Sequence, residues 1–389
     1  MNNDLQIRWN SVQKLLAKAG SDACLIATDV NIYYLTEQVF MGFLYFPAEG
    51  KPVYFVQRPL GWEGEQIVSI RKPEDIPALL HARGIPLPEN LFLEEDQIAY
   101  SELVRLKKAF NPAHTGNASA ILRQARMIKT PWEIEQFRIS AAKQAEAYRE
   151  IPAVYREGMT DIEFQIEIER IMRKHGSLGI FRVYGRNMNI FMGSVLTGNN
   201  AAQPSPFDFA LGGAGLHPSI PIGASGETIR DGTPVMVDMA GSFTAYLSDM
   251  TRVFAFGELP AEAYRAHRLS MDMHSRLMES VRPGTACAEI YEWSIQMSEK
   301  EGFAANFMGI TQQAKFVGHG VGLEINELPV LTGRSKDHLL PGMVFAYEPK
   351  FVLPGIGAVG NEDTYLVTDS GIEKLTVFEE DIIKQSALS

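Results

Sequence analysis

The chain has 389 residues, 46% of them hydrophobic and 21% charged, with a formal net charge of −11. That length holds more core than one ordinary domain of about 100 to 200 residues, so two domains are expected, and the composition excludes a disordered or fibrous chain. The acidic excess, with no Lys/Arg stripe set against it, argues against a nucleic-acid partner, and no run of about 18 apolar residues offers a membrane span.

In chain order, residues 6–19 have the spacing of an amphipathic helix, with no apolar core and cleavage site that would make a signal peptide. DACLIATDVNIYYLT then reads as two short apolar runs with a turn between them, and FLYFPAEGKPVYFVQ as a hairpin. RKPEDIPALLHARG has the pattern of a helix ended by Gly84, and NLFLEE that of a buried strand. About 120 residues of such alternation make one α/β domain. A long helical stretch follows, broken at Thr130-Pro131, where a proline ends one helix and starts the next. Helices are expected at 161–174, 260–281 and 285–302, among strand-like runs that suggest an α+β sheet covered by helices. Cys24 and Cys287 lie far apart and outside any CxxC pair, which excludes a disulfide framework or thiolate zinc site and fits a reducing cytoplasm.

The segment TPVMVDMAGSFTAYLSDMTRVFAFG reads as a hairpin. With its turn centred on Phe243-Thr244, Asp238 would face Asp249 directly, their Cβ atoms about 5 Å apart. Two like charges opposed among Val, Met, Tyr and Leu need a neutralising cation, unless a bulge turns one of them to solvent. Glu348 in FAYEPKF and Glu362 in AVGNEDTYLVT also sit among apolar neighbours, and His319 in KFVGHGVGLEINEL supplies an imidazole. Taken singly, each has a plain structural explanation: a core histidine, a strand-end glutamate, a glycine turn. Together, four carboxylates and one histidine suit two divalent ions, Mn²⁺, Co²⁺, Fe²⁺ or Zn²⁺. GHGVG is not a phosphate loop, because no Lys-Ser/Thr and no helix start follows it.

In order, VDMAG, YLSDMTRVF, GHGVGLE, YEPKF and NEDTYLV resemble the five ligand motifs of the pita-bread metallopeptidases, family M24, which comprises Xaa-Pro aminopeptidase, prolidase, methionine aminopeptidase and creatinase-like proteins. The first 120 residues, with NIYYLT and the later RMIKTPWEIEQFRISAA, resemble the creatinase-type N-terminal domain, which excludes a plain methionine aminopeptidase. The resemblance implies an α+β fold in two parts, a creatinase-type domain over 1–125 and a pita-bread catalytic domain over 126–389, with a six-stranded curved sheet. It further implies a homodimer and two divalent metal ions that activate a water and polarise the scissile carbonyl. Asp249 and Glu362 would bridge the ions, with Asp238 on one and His319 and Glu348 on the other. Glu348, its pKa raised in an apolar strand, would also carry a proton to the leaving amine.

Three positions depart from the resemblance. Proline-specific members carry a second histidine where this chain has Asn326, which can donate a hydrogen bond but not shuttle a proton. They carry an arginine where this chain has Gly360. A pocket histidine expected after GNNAAQPS is replaced by Ser205, leaving His217 either to reach in from a longer loop or to lie exposed. The expected function is removal of the N-terminal residue from short peptides, Xaa-Pro peptides first. A prolidase-like dipeptidase, a creatinase-like C–N hydrolase and a non-catalytic binding protein are the alternatives.

Overall fold

The computed structural model describes residues 3–185, 192–207 and 209–384. Its chain divides into two units, Met1–Arg126 and Met127–Ser389. Among the described residues no helix is long and apolar enough to cross a membrane.

The first unit runs α1 (Asn3–Lys18), β1 (Ala23–Ile26), α2 (Asp29–Thr36), β2 (Met41–Pro47), β3 (Val53–Arg58), β4 (Ile67–Ser69), α3 (Ile76–Ala82), β5 (Asn90–Leu93), α4 (Tyr100–Phe110), β6 (His114–Asn117) and α5 (Ser119–Met127). Its sheet has the order β4-β3-β2-β1-β5-β6, antiparallel across β1, β2 and β3 and parallel at both flanks. The hairpin, the strand at Asn90 and the helix before Gly84 form as expected. NIYYLT, which the sequence shows only as an apolar run, is helical, in α2. A run of six or eight apolar residues carries no period that separates strand from buried helix. Tertiary contacts decide here, since Arg8 Nη1 and Trp9 Nε1 of α1 donate to the Tyr34 and Leu35 carbonyls at the C-terminal end of α2.

The second unit begins at the proline break. Thr130 Oγ1 accepts from Glu133 N and the Glu133 carboxylate accepts from Thr130 N, a reciprocal cap that starts α6 (Pro131–Glu150). There follow α7 (Asp161–Lys174), β7 (Gly193–Thr197), β8 (Pro234–Gly241), β9 (Ser248–Ala255), α8 (Ala261–Ser280), α9 (Cys287–Lys300), β10 (Gly318–Gly320), β11 (Glu327–Val330), β12 (Val344–Tyr347), β13 (Lys350–Leu353), β14 (Gly357–Gly360), β15 (Asp363–Val367), β16 (Ile372–Lys374) and β17 (Ile383–Lys384). The three expected helices are α7, α8 and α9.

Among the described residues the strands form three ladders, β17-β9-β8-β7, β13-β14 and β11-β10-β12-β15-β16, rather than one continuous six-stranded sheet. An isolated bridge, Thr251 to Glu362, links the first to the third. Both faces of β9 are buried. Val253 and Ala255 pack with Leu269 and Met273 of α8, while Met250 and Phe254 pack with Tyr148 of α6 and Phe164 of α7. Helices on both sides explain why these strands read as continuous apolar runs. A charged group on such a strand must find its partner inside the protein.

Candidate metal centre

Two hairpins and one short strand bring the expected residues together. In β8–β9, Asp238 pairs with Thr251 and Asp249 with Ala240. The aspartates are therefore diagonal neighbours on one face and not directly opposed, two residues off the expected register. The loop between the strands sets that offset. It is tied to α6, where Thr244 N donates to Ser140 Oγ, Ser140 Oγ donates to Tyr246 O, and Tyr246 Oη donates to Glu133. With these bonds in place the turn centres one residue later than expected.

The second hairpin runs through both β12–β15 and β13–β14. Tyr347 pairs with Asp363 in β12–β15 and Lys350 with Gly360 in β13–β14, with the same offset on both sides of a short gap. Glu348 and Glu362 lie in that gap, facing across the hairpin. Spacing of two along each strand sets Lys350 on the same face as Glu348. Lys350 Nζ lies 2.8 Å from Glu348 Oε2, 2.8 Å from Glu362 Oε2 and 2.9 Å from Asp238 Oδ2, and the residue is fully buried. Lys350 is the functional residue that sequence reasoning missed. Its signal was present: a lysine inside the apolar run VFAYEPKFVL, two positions from a glutamate.

His319 comes from β10, between β11 and β12. The glycines around it serve strand packing, because a Cβ at Gly320 would meet the Leu328 carbonyl and one at Gly322 the Glu327 carboxylate. His319 Nδ1 donates to the Gly320 carbonyl at 3.1 Å, which turns Nε2 toward the carboxylates, 3.4 Å from Glu348 Oε1 and 3.9 Å from Asp249 Oδ2. One donor atom each from Asp249, His319 and Glu362 lies within 4.8 Å of the others.

Backbone clamps hold these side chains. Thr364 Oγ1 accepts from Asp249 N and donates to Asp249 O. Thr251 Oγ1 donates to Glu362 Oε2 at 2.8 Å. Arg252, fully buried, donates to the carbonyls of Thr251, Glu362 and Glu379 and to Asp363 Oδ1.

The electrostatics show a cluster still short of positive charge. Burial pushes Asp249 well above the usual carboxylate range, and Glu362, Asp238 and Glu348 add to this. Burial, with Glu348 next, pushes Glu362 up to about 7, and its Oε1 has no hydrogen-bond partner among the described residues. Glu348 moves the other way. Burial would raise it, but Lys350 and His319 draw it down to about 2, so the raised pKa expected for Glu348 is not found. Burial likewise opposes the charge of Lys350, yet Asp238, Glu348 and Glu362 hold it well above the usual lysine range, so it is an ammonium.

Carboxylate and imidazole donors fit a hard or borderline divalent ion, and the unpartnered Glu362 oxygen beside Asp249 and His319 is an oxygen such an ion would take. The convergence of Asp238, Glu348 and Glu362 is different. An ammonium already touches an oxygen of each, and an ion bound at about 2.0 to 2.2 Å to those same oxygens does not fit beside it.

The remaining expected positions lie outside the cluster's hydrogen bonding. Asn326 uses both ends of its amide on one residue, Oδ1 accepting from Tyr184 N and Nδ2 donating to Tyr184 O, each at 2.7 Å. His217 is exposed in its loop, with Nδ1 2.8 Å from Ser219 Oγ, so it is the loop histidine and not a reaching one. Ser205 is buried and donates to the Pro221 carbonyl. Gly360 has φ +129°, and a Cβ there would lie 2.5 Å from the Pro349 carbonyl oxygen, which bars the arginine.

Hairpins and a short strand that gather Asp249, His319 and Glu362, with Glu348 and Asp238 beside them on Lys350, define a metal-dependent hydrolase of the pita-bread class. The chain belongs to metallopeptidase family M24, whose model matches residues 135–369, and a creatinase/prolidase N-terminal domain model matches residues 8–128. It is a hydrolase of that divalent-metal-using family. An uncharacterised peptidase of Staphylococcus aureus (strain USA300) is 27% identical over 373 residues, covering 92% of this chain and 95% of its own. Among solved structures, an Xaa-Pro dipeptidase from Bacillus anthracis superposes with a TM-score of 0.80 at 23% identity, covering 98% of this chain and 99% of that one. An X-Pro aminopeptidase from Thermotoga maritima gives 0.77 at 21% identity, with 95% and 99% covered.

Proposed function

We propose that the chain removes the N-terminal residue from short peptides, with Xaa-Pro peptides as its first substrate class, at a centre built on Asp249, His319, Glu362 and Glu348. The observation that carries the reading is the convergence of one donor atom each from Asp249, His319 and Glu362 within 4.8 Å, beside Glu348. A divalent ion bound there, Mn²⁺, Co²⁺, Fe²⁺ or Zn²⁺, would lower the pKa of a water and polarise a carbonyl. Asp249 and Glu362 would be among its ligands; the Thr364 hydroxyl clamps the Asp249 backbone and the Thr251 hydroxyl donates to the Glu362 carboxylate. Glu348, kept ionised by Lys350 and His319, starts the reaction as a proton acceptor, at Oε1 or Oε2, and returns the proton to the leaving amine. Asn326 positions the Tyr184 backbone instead of touching the reacting atoms.

The Xaa-Pro preference draws on the names of the two similar structures, one a dipeptidase and one an aminopeptidase. A panel of Xaa-Pro and Xaa-Pro-Yaa peptides with Mn²⁺ or Co²⁺ separates these activities, since only an aminopeptidase accepts an extended C-terminus. Turnover of either class, reduced at least about 100-fold in Glu348→Gln, supports the reading; no hydrolysis of any peptide sinks it. We further infer a cytoplasmic homodimer. The two buried free cysteines agree with a reducing compartment, and a light-scattering mass near 43.2 kDa rather than twice that would contradict the dimer.

A further inference from the structure

We propose that Lys350 is a built-in cation standing in for one of two metal ions, so that this centre holds a single divalent ion, on Asp249, His319 and Glu362, with Glu348 alongside. The inference rests on the metallohydrolase reading of the site and specifies its cofactor.

The geometry carries it. Lys350 Nζ has three hydrogens to donate, and it stands 2.8, 2.8 and 2.9 Å from one oxygen each of Glu348, Glu362 and Asp238. All its donors are thus used on carboxylates that the family pattern assigns to metal. Its side chain is 1% exposed, as against 25% for Asp238, so the ammonium lies deeper than the aspartate it serves. Asp238 thereby loses the ion it was expected to bind and pairs with the ammonium.

The two ends of the cluster differ. The Lys350 end is complete. At the other end Glu362 Oε1 is buried without a hydrogen-bond partner among the described residues, and His319 Nε2 points at carboxylates with its other nitrogen already committed. That end is built for one more cation. Charge agrees with the count: with Lys350 and one divalent ion, the four carboxylates keep one uncompensated negative charge. A second ion would have to sit against the buried Lys350 ammonium, a like charge that little solvent screens.

The backbone explains how the lysine is accommodated. Lys350 pairs directly with Gly360, whose Cβ, if it had one, would lie 3.0 Å from the Lys350 Cα and 2.5 Å from the Pro349 carbonyl oxygen. The arginine absent from position 360 and the lysine present at 350 are therefore two sides of one rung. The positive side chain is supplied from the facing strand, and it is aimed inward.

An ammonium neutralises carboxylates but cannot take a water or a carbonyl oxygen as a ligand. One ion must therefore supply all the Lewis-acid chemistry, and Lys350 fixes the carboxylates around it.

The test is ion counting on the full-length chain by native mass spectrometry after metal stripping and dialysis against Mn²⁺, with the same count for Lys350→Ala, Lys350→Gln and His319→Ala. The proposal expects one ion in the wild type, two in Lys350→Ala and none in His319→Ala, with Lys350→Gln as a milder variant should the alanine fail to fold. Two ions in the wild type would mean that the lysine swings aside, and would overturn it. No ion in the wild type, or one ion in both folded lysine variants, would overturn it as well. The count is independent of turnover. A wild type that binds one ion yet cleaves no peptide keeps this inference and removes the peptidase reading.

Discussion

Arg252→Met tests whether the carboxylate cluster is held from behind by a buried ion pair. Arg252 and Asp363 are both fully buried, 2.8 Å apart, and the guanidinium also donates to three carbonyls, at 2.6 Å to Glu379, 2.8 Å to Thr251 and 2.9 Å to Glu362. Removing one partner of a buried pair costs about 3 to 5 kcal/mol, because the other charge is stranded. Asp363 would retain Lys374 Nζ at 3.1 Å and Thr376 Oγ1 at 2.7 Å, which pulls the pair's share to the lower end. Three orphaned carbonyls, at about 1 kcal/mol each when partly relaxed, bring the total to about 6 kcal/mol. For a unit of this size, each kcal/mol shifts the melting midpoint by about 2 to 4 °C, so the second unit should melt about 12 to 24 °C lower. The assay is thermal and urea unfolding followed by near-ultraviolet circular dichroism. Arg252→Met with Asp363→Leu should recover part of the loss, since no charge is then stranded. A single variant within about 1 kcal/mol of wild type would refute the reasoning.

Other consequences are equally direct. His274 is buried between Tyr365 Oη and the Asn361 carbonyl, and burial lowers its pKa to about 3; His267, also buried, falls to about 4. Both are neutral when folded and take up protons on unfolding below about 6.5, so stability should rise with pH between about 4 and 6.5. A His274→Gln variant whose urea midpoint shows an unchanged slope over that window would contradict this. Gly360→Ala should destabilise by about 1 to 3 kcal/mol, through its positive φ and the clash with the Pro349 carbonyl; wild-type melting would count against it. Asn326→Ala removes both hydrogen bonds to the Tyr184 backbone, a loss of about 1 to 3 kcal/mol locally. Amide exchange at Tyr184 should quicken, and unchanged protection would show that the asparagine does not position that segment.

Much of the architecture was legible in the sequence because its signals are local. The Thr130-Pro131 break with Glu133 is a complete capping signature, and the long helices carry their 3.6-residue period over three turns or more. NIYYLT showed only as an apolar run because six residues carry no usable period, and its C-terminal end is held by Arg8 and Trp9 of another helix. The hairpin register was misjudged for a similar reason, since α6 holds the loop through Ser140 and Glu133. At the site, the five ligand types and their order were readable. Their division of labour was not, because it depends on where one lysine points. Lys350 stands out along the chain as a lysine in an apolar run, but where it points is settled only when Asp238, over a hundred residues earlier, is folded against it.

The most direct measurement of the central claim is the anomalous scattering of Mn²⁺ in crystals of the full chain. The account predicts one peak, within bonding distance of Asp249, His319 and Glu362, with Lys350 Nζ still on Asp238, Glu348 and Glu362. Two peaks with Lys350 displaced, or no peak at saturating Mn²⁺, would contradict it.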